Sequence, residues 1–470
     1  MSCFGNGSAV KLFYVREYGT MTADTISAAA SGSTFADAGS GFISAGKFAV
    51  GHIITVSGFA TAANNGKFKI ATLSAGSMTV TDIYGNAVTL VNESAGPSVT
   101  IFQEGGIPAN PQFKPIRFVS EGLSPNINQI ESNEINQARQ RAPSRGGTYS
   151  VAGEIAAEVS FASFDDLIEA AMQSTWLPRG SLTAITISAA ASDDSFNDSG
   201  NGFVAAGFVA GDIITTSGFA TSANNGTWLV TSVAAGKIIV TNTDGTAASA
   251  ITNETAGETV TVTSSADELV VGSTERSFAI LERHTDISAD YVYRGCRVAT
   301  MNIAAPLGDK ATITFGMLGT KAEAYSVPGG ATFASATTSD MMVTTNGSFT
   351  EDGDAITYAT EWNMTLDNGM EAAFSLFQRE AYCVTNGIAS VSGTMSAYLK
   401  DGTLWAKVLN ETETNHVVVL EEGADSYTIE LPKVRYTQGQ KQVSGPGAVI
   451  PQYTYSAGYD GTTTLRITRS

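Results

Sequence analysis

Cysteine is nearly missing from this chain. Its 470 residues hold three, Cys3, Cys296 and Cys383, odd in number and far apart, which argues against a disulfide framework or a clustered zinc site. Histidine is as scarce, with only His52, His284 and His416. Positive charge is short: 26 Lys and Arg stand against 45 Asp and Glu, a formal net charge of −19 and a pI near 4.5. Such a surface repels nucleic acid and favours solubility, although a repelled polyanion can still be a passenger. No run approaches the ~18 apolar residues of a membrane helix. Residues 1–18, with Lys11, Arg16 and Glu17, lack the apolar stretch of a signal peptide. These shortages predict a soluble protein folded in a reducing cytoplasm. No P-loop, H-E-x-x-H, G-x-S-x-G or strand-linked G-x-G-x-x-G is present, so no catalytic residue, cofactor or metal ligand is expected.

What is there is glycine, 48 residues, with much Ser, Thr, Val and Ala and few long helical patterns. That composition predicts a mainly β protein, and the length exceeds what one core serves. Two low-charge blocks, 21–102 and 183–263, are copies of each other. TISAAAS occurs at Thr25 and again at Thr186. GFISAGKFAVGHIITVSGFATAANNGKF from Gly41 matches GFVAAGFVAGDIITTSGFATSANNGTW from Gly202, and the copies close on NESAG at Asn92 and NETAG at Asn253. This repeat is the strongest signal in the chain. Each copy is large enough for a small domain, read as a five- or six-stranded β sandwich or barrel around residues such as Phe35, Phe42 and Ile54, or Phe196, Phe203 and Trp228. Asn64-Asn65-Gly66 and Asn224-Asn225-Gly226 read as tight hairpin turns. The second copy has Asp212 where the first has His52, so the module does not need the histidine. Asp193, Asp194, Asp198 and Asp244 hint at a calcium loop, but the first copy keeps only Asp37, with Gly32, Ser33 and Tyr84 at the other places; a solvated acidic turn is the better reading.

Between the copies, residues 130–172 read as arm, strand and helix. The arm, 131–147, is polar and aperiodic and carries Glu131, Glu134, Arg139, Arg141 and Arg145. Its arginines on an acidic protein suit carboxylates of a neighbouring copy, which makes it a candidate assembly arm; its plain reading is a long hairpin loop. Residues 149–161 alternate with period 2, as a half-buried strand does. Phe164, Leu167, Ile168, Ala171 and Met172 recur at helical spacing, behind Ser163 as N-cap with Asp165 and Asp166 in the first turn. The order returns later. Residues 388–399 alternate with Gly393 where the earlier strand has Gly153, a short amphipathic helix follows at 403–410, and strands follow it. We therefore expect a duplicated antiparallel β-sandwich/barrel domain with short flanking helices. The first copy spans 1–20, 103–182 and 264–325, interrupted by the two small all-β inserts; a linker at 326–340 leads to the second at 341–470.

The segments ESNEINQARQ at Glu131, GTYSVAGEIAAEVSFASFDDLIEAAM at Gly147, YRGCRVATMNIAAPLGDKATITFGMLG at Tyr293 and ELPKVRYTQGQKQVSGPGAVIPQYTYSA at Glu430 resemble the major tail tube proteins of long-tailed bacteriophages (siphoviruses). The resemblance covers about two-thirds of the chain, leaving out the inserts, which resemble decoration modules of virion proteins. It implies a structural virion protein made in the host bacterial cytoplasm. Six tube domains make a ring whose inner strands join into one barrel, rings stack through a long loop matching 131–147, and DNA passes through the bore during ejection without specific binding. With the duplication, three chains supply the six domains in a trimeric, pseudo-sixfold ring; without it, six chains are needed. The implied partners are further copies of the chain and the tail terminator, tape measure and distal tail proteins. The inserts would project outward.

The rival reading from another class is a glycan- or surface-binding fibre or adhesin built on the repeats, which calls for exposed aromatics near their loops. A glycosidase is the weakest candidate, since no sequence-local carboxylate pair stands out.

Overall fold

The computed structural model describes residues 7–17, 21–43, 48, 50, 52–83, 85–104, 106–107, 111–134, 140, 143–243, 245–248, 250–441, 443 and 445–470. The chain outside the two repeated blocks is built twice from the same parts. The first unit contains β1 (Val10–Arg16), β2 (Gln112–Pro115), β3 (Ser124–Ile130), β4 (Arg145–Glu158), α1 (Asp165–Met172), β5 (Phe278–His284), β6 (Ala289–Pro306), β7 (Thr312–Gly319) and β8 (Lys321–Ala324). The second contains β9 (Gly347–Glu351), β10 (Ala359–Asp367), β11 (Ser390–Ala397), α2 (Thr403–Leu409), β12 (Glu413–Glu422), β13 (Asp425–Gln440), β14 (Gln452–Ala457) and β15 (Arg466–Arg469).

The pairings repeat one for one. In the first unit the antiparallel pairs are β1–β5, β5–β6, β6–β7, β4–β7, β3–β4 and β6–β8. In the second they are β9–β12, β12–β13, β13–β14, β11–β14, β10–β11 and β13–β15. Both long strands, β6 and β13, serve two layers: the N-terminal half belongs to an outer sheet, the C-terminal half to an inner one. Each changes layer just after a bulge in its outer pairing, opposite Ala279 in β6 and opposite Asn415 in β13, and a second bulge follows in the inner pairing, between Val298 and Thr300 and between Tyr436 and Gln438. An extra residue there bends the strand and lets one chain segment turn the corner of the sandwich.

The inner layers of the two units join. The C-terminal half of β6 pairs with β10, from Thr300 opposite Asp367 to Pro306 opposite Glu361. The result is one eight-stranded layer in the order β3–β4–β7–β6–β10–β11–β14–β13. Alternating residues of these strands enter a single core that spans both units, including Val151, Ile155, Phe315, Met301, Trp362, Leu366 and Tyr455. Trp228 and Trp362 are buried, and Trp176 and Trp405 pack on the core with one face. Helix α1 buries Leu167, Ile168, Ala171 and Met172, as the helical spacing predicts. Its N-cap differs from expectation. Phe164 occupies that position with no side-chain cap, while the Ser163 hydroxyl accepts from Ser160 and bonds Thr337 instead. Partners on neighbouring loops outcompete the first-turn N–H groups. The Gly- and Ser-rich segment after Val327 is also held: Thr332–Phe333 pairs with β2, and the Phe333 ring stacks on Phe113 at 5.4 Å.

Each repeated block forms its own seven-stranded sheet with its own core, one or two strands more than expected, because the entry and exit segments also pair. Met21–Ala23 lies against Val99–Glu104, and Ser181–Ala184 against Val260–Ser264. The Asn-Asn-Gly triplets are not two-residue turns. Asn64 closes a short 3-10 helix, Ala62–Asn64, and is fully buried; its amide donates to Val91 O and Glu93 Oε2, both at 3.0 Å. Asn224 does the same for Glu254 at 2.9 Å. Asn earns its place there by fastening the closing NESAG or NETAG loop. Asp37 accepts from Thr25 Oγ1 at 2.5 Å and from Gly39 N and Gly41 N at 2.9 and 2.6 Å, and Asp198 repeats this with Thr186, Gly200 and Gly202. Both oxygens of each are committed to local backbone. Asp193 pairs with Lys237, while Tyr84 and Asp244 lie outside the described residues.

Two predictions come from this packing. Gly153 and Gly393 hold equivalent places, and a Cβ would stand 2.3 Å from Gly122 O at the first and 2.1 Å from Asn363 O at the second. Gly153→Ala and Gly393→Ala are each expected to lower stability by about 1–3 kcal/mol, measured by denaturant unfolding; a wild-type midpoint would refute the close approach. His416 is buried against Trp362, Tyr436 and Tyr455, and burial, aided by Lys407, lowers its pKa from 6.5 to about 3. Between those values the unfolded chain binds the extra proton, so stability falls as pH falls, by up to roughly 1.4 kcal/mol per pH unit. The melting temperature of His416→Gln should decline less steeply than wild type from pH 6.5 to 4; parallel profiles would rule the effect out.

Candidate assembly surfaces

The eight-stranded layer ends in two unpaired edges. Among the described residues β3 has one strand neighbour, β4, and all seven of its residues are exposed. At the far end, the segment of β13 beyond its bulge pairs, among the described residues, only with β14, and Gln438 and Gln440 are exposed. Free backbone N–H and C=O groups along both edges are templates for further pairing. The inner seam shows what such a pairing looks like. The end of β13 is the counterpart of the end of β6, and β3 is the counterpart of β10. Thr300 and Gln438 both follow the bulge; Asp367 lies opposite Ser390, and Asn126 opposite Ser150, three residues before Gly393 and Gly153 respectively. The seam between β6 and β10 thus joins the same two kinds of edge that the molecule leaves open.

The face of this layer turned away from the core is hydroxyl- and amide-rich. It carries Ser124 and Asn126 on β3, Thr300 and Asn302 on β6, Thr314 on β7, Asn363 and Thr365 on β10, Ser392 and Thr394 on β11, and Thr454 and Ser456 on β14, each alternating with a core residue or exposed on β3. Its carboxylates are Glu154, Glu158, Glu361 and Asp367. Lys310 pairs with Glu158, and Arg435 with Glu413. Composition alone placed no acidic residue on a particular face; strand parity does.

The arm is the tip of the β3–β4 hairpin. The strand begins earlier than the alternation suggested, so Arg145 already pairs, opposite Ile130, and is exposed. Two Gly residues after it admit the close approach of Ile130, whose Cδ1 would stand 3.0 Å from a Cβ at Gly147. Glu131 and Glu134 are exposed beyond β3. Arg139 and Arg141 lie outside the described residues. A second such extension escaped sequence reading. The connection from β10 to β11, 368–389, is the counterpart of the arm, and it presents Leu376, Phe377 and Ile388 at 79%, 102% and 90% exposure. Its signal was a cluster of apolar residues where a turn should be polar.

A cleft at the start of α1 gathers charge. Asp166 accepts from Lys114 Nζ at 2.6 Å and Tyr14 Oη at 3.0 Å, Asp165 from Tyr427 Oη at 2.7 Å with Arg469 beside it, and Glu169 faces Arg16 at 2.9 Å and Arg276 at 3.5 Å. Burial opposes ionisation of Asp166, but Lys114 and Arg16 outweigh it and hold its pKa below the ordinary value. At Asp165 burial wins and the pKa is raised despite Tyr427 and Arg469. These contacts tie α1 to β1, β2 and β15; each carboxylate has its cation, so the cleft is a structural clamp. Cys296 and Cys383 are buried free thiols, Cys3 lies outside the described residues, and no described helix is long and apolar enough to span a membrane.

A duplicated sandwich whose inner layers merge, with complementary free edges at both ends and long hairpins at one rim, defines a self-assembling structural β protein. A family model described as Phage tail tube protein matches residues 7–457, and the chain belongs to that family. It is a structural component of the phage tail that assembles with itself, alongside other tail proteins, into a tube. Comparison with curated proteins gives no match.

The clamp carries its own prediction. Asp166→Ala leaves Lys114 and Tyr14 without their shared acceptor and should cost about 1–3 kcal/mol in denaturant unfolding, whereas Glu131→Ala at the exposed arm should cost less than about 0.5 kcal/mol. Equal losses would show that the cleft is not what anchors α1.

Proposed function

We propose that three chains close into one pseudo-sixfold ring of a long-tailed phage, and that stacked rings form the conduit through which DNA leaves the capsid. The observation that carries this is the β6–β10 seam. It is an intramolecular example of the contact that the free edges of β13 and β3 can make between chains. Repeating it joins three eight-stranded layers into a closed barrel, which leaves no edge exposed. Each chain then contributes two tube domains, the first assembled from 1–20, 103–182 and 264–325, the second from 341–470, linked through 326–340. The chain is made in the bacterial cytoplasm and incorporated into the virion with tail terminator, tape measure and distal tail proteins.

The polar face of the layer lines the bore. Hydroxyls and amides with a few carboxylates offer phosphates no lasting partner, so the duplex slides; cations there would hold it. The inserts point outward. Their paired entry and exit strands follow β1 in one case and lead to Asp267–Val270, which pairs with β15, in the other; β1 and β15 both belong to the outer layers. Phe35, Phe59, Phe68 and Trp228 are buried within the inserts, which removes them as glycan-stacking platforms. Glu131, Glu134, Arg139, Arg141 and Arg145 form the arm that meets the neighbouring ring.

The register is specific. Since Thr300 stands opposite Asp367, Gln438 of one chain should stand opposite Asn126 of the next. Gln438→Cys combined with Asn126→Cys should give, on oxidation, a cross-linked ladder ending at three chains on a denaturing gel. A ladder reaching six supports the hexamer, and absence of any cross-link in assembled tubes refutes the seam. Glu154→Lys with Glu361→Lys should still yield tubes but slow DNA ejection several-fold, more so at low salt; unchanged ejection would remove these positions from the bore.

A further inference from the structure

The connection 368–389 ends in an apolar tip that nothing among the described residues covers. Phe374, Leu376 and Phe377 are 46%, 79% and 102% exposed. Phe377 also has φ +67°, a conformation unfavourable for a bulky residue, so the backbone is turned to display it. The base beneath is anchored. Glu371–Ala373 pairs with Cys383–Thr385, Tyr149 N donates to Arg379 O at 2.7 Å and Ala381 N to Tyr149 O at 2.9 Å, and Arg297 Nη1 donates to Val384 O at 2.8 Å. A rigidly mounted apolar knob on a protein of net charge −19 is an interaction site rather than a floppy loop.

The same chain carries a matching hollow. A groove of about 340 Å³ is lined by Pro306, Leu307, Phe349, Ile356, Trp362 and Val418. Trp362 and Val418 form a buried floor, and Leu307 stands 68% exposed at the rim. Knob and groove sit at opposite ends of β10: the groove takes in its first residues, Ala359 to Trp362, and the knob follows Asp367. Nine residues at ~3.3 Å each keep the two roughly 25–30 Å apart, so a chain cannot fill its own groove. Complementary patches at opposite ends of one subunit make a head-to-tail contact that propagates as an open polymer.

We propose that Leu376 and Phe377 of one ring insert into the Leu307–Trp362 groove of a second copy of the chain in the next ring, making this second hairpin the apolar fastener between rings. The occupant is another copy because both halves lie on this chain in equal number and the lateral edges of the layer face sideways, leaving its two ends for stacking. The inference rests on the tube reading and adds to it which residues lock the rings.

The test uses full-length protein. With p-benzoylphenylalanine at position 377, irradiation of assembled tubes should cross-link to peptides containing 305–307, 347–362 or 418–420 of another chain. Leu376→Asp with Phe377→Asp, and separately Leu307→Asp, should leave rings intact by size-exclusion chromatography and shorten tubes at least tenfold by electron microscopy. Cross-links confined to the same chain or made to a different tail protein, or wild-type tube lengths in both variants, overturn the proposal while leaving the ring untouched. Wild-type protein that forms no tubes overturns the tube reading, and this inference with it.

Discussion

Seven backbone pairs between β6 and β10, from Thr300–Asp367 to Pro306–Glu361, decide what kind of object this protein is. Without them the chain would hold two separate sandwiches on a tether, free to reorient. With them the two inner sheets are one surface, and the core runs beneath the seam without a break, from Met301 and Ile303 to Trp362, Met364 and Leu366. Side-chain packing on one face fixes the angle at which the backbones meet, because close-packed interiors do not bend freely. The angle between units is thus set by contacts within a single chain.

The corner-turning strands explain why the duplicated unit can do this. A flat strand would belong to one sheet only. The bulges opposite Ala279 and Asn415 let β6 and β13 leave the outer layer, where β5 and β12 hold them, and enter the inner one with a free side. In β6 that side is taken by β10. In β13 nothing among the described residues takes it. The open edge is a consequence of having two units rather than an endless number, and edge exposure is the liability that closed barrels remove.

Much of this was legible in the residues. Alternation marked β4 and β11, and helical spacing marked α1 and α2, because a half-buried strand or helix must place apolar groups at its own period. Gly153 and Gly393 betrayed the duplication because both sites sit where backbone approaches too closely for a Cβ. The inserts declared themselves by repetition. Other features were hidden for physical reasons. The seam consists of backbone hydrogen bonds, which leave no residue signature. Asn64 and Asn224 look like turn formers because their role, holding Glu93 and Glu254, depends on contacts about thirty residues away in sequence. Ser163 has the right identity for an N-cap, yet Thr337 lies closer to its hydroxyl. The apolar tip at 376–377 breaks the rule that loops are polar, and only exposure distinguishes such a break from a buried turn.

Lateral and axial contacts face different electrostatic problems. The proposed lateral pairing, like the β6–β10 seam, is made of backbone hydrogen bonds and would tolerate a surface charged on both flanks. In the proposed tube, stacking would bring acidic rings face to face, each chain bearing −19, and at physiological salt that repulsion is screened only beyond about 8 Å. An ionic fastener alone would weaken as salt rises. Burial of apolar side chains has no such dependence and is, if anything, strengthened by excluded salts. The charged arm at 131–147 and the apolar hairpin at 368–389 are counterparts in the two units, so in the proposed ring a duplicated chain would place one kind of contact beside the other at every step, the first contributing pairing specificity and the second cohesion. Duplication followed by divergence of a single loop is enough to produce both.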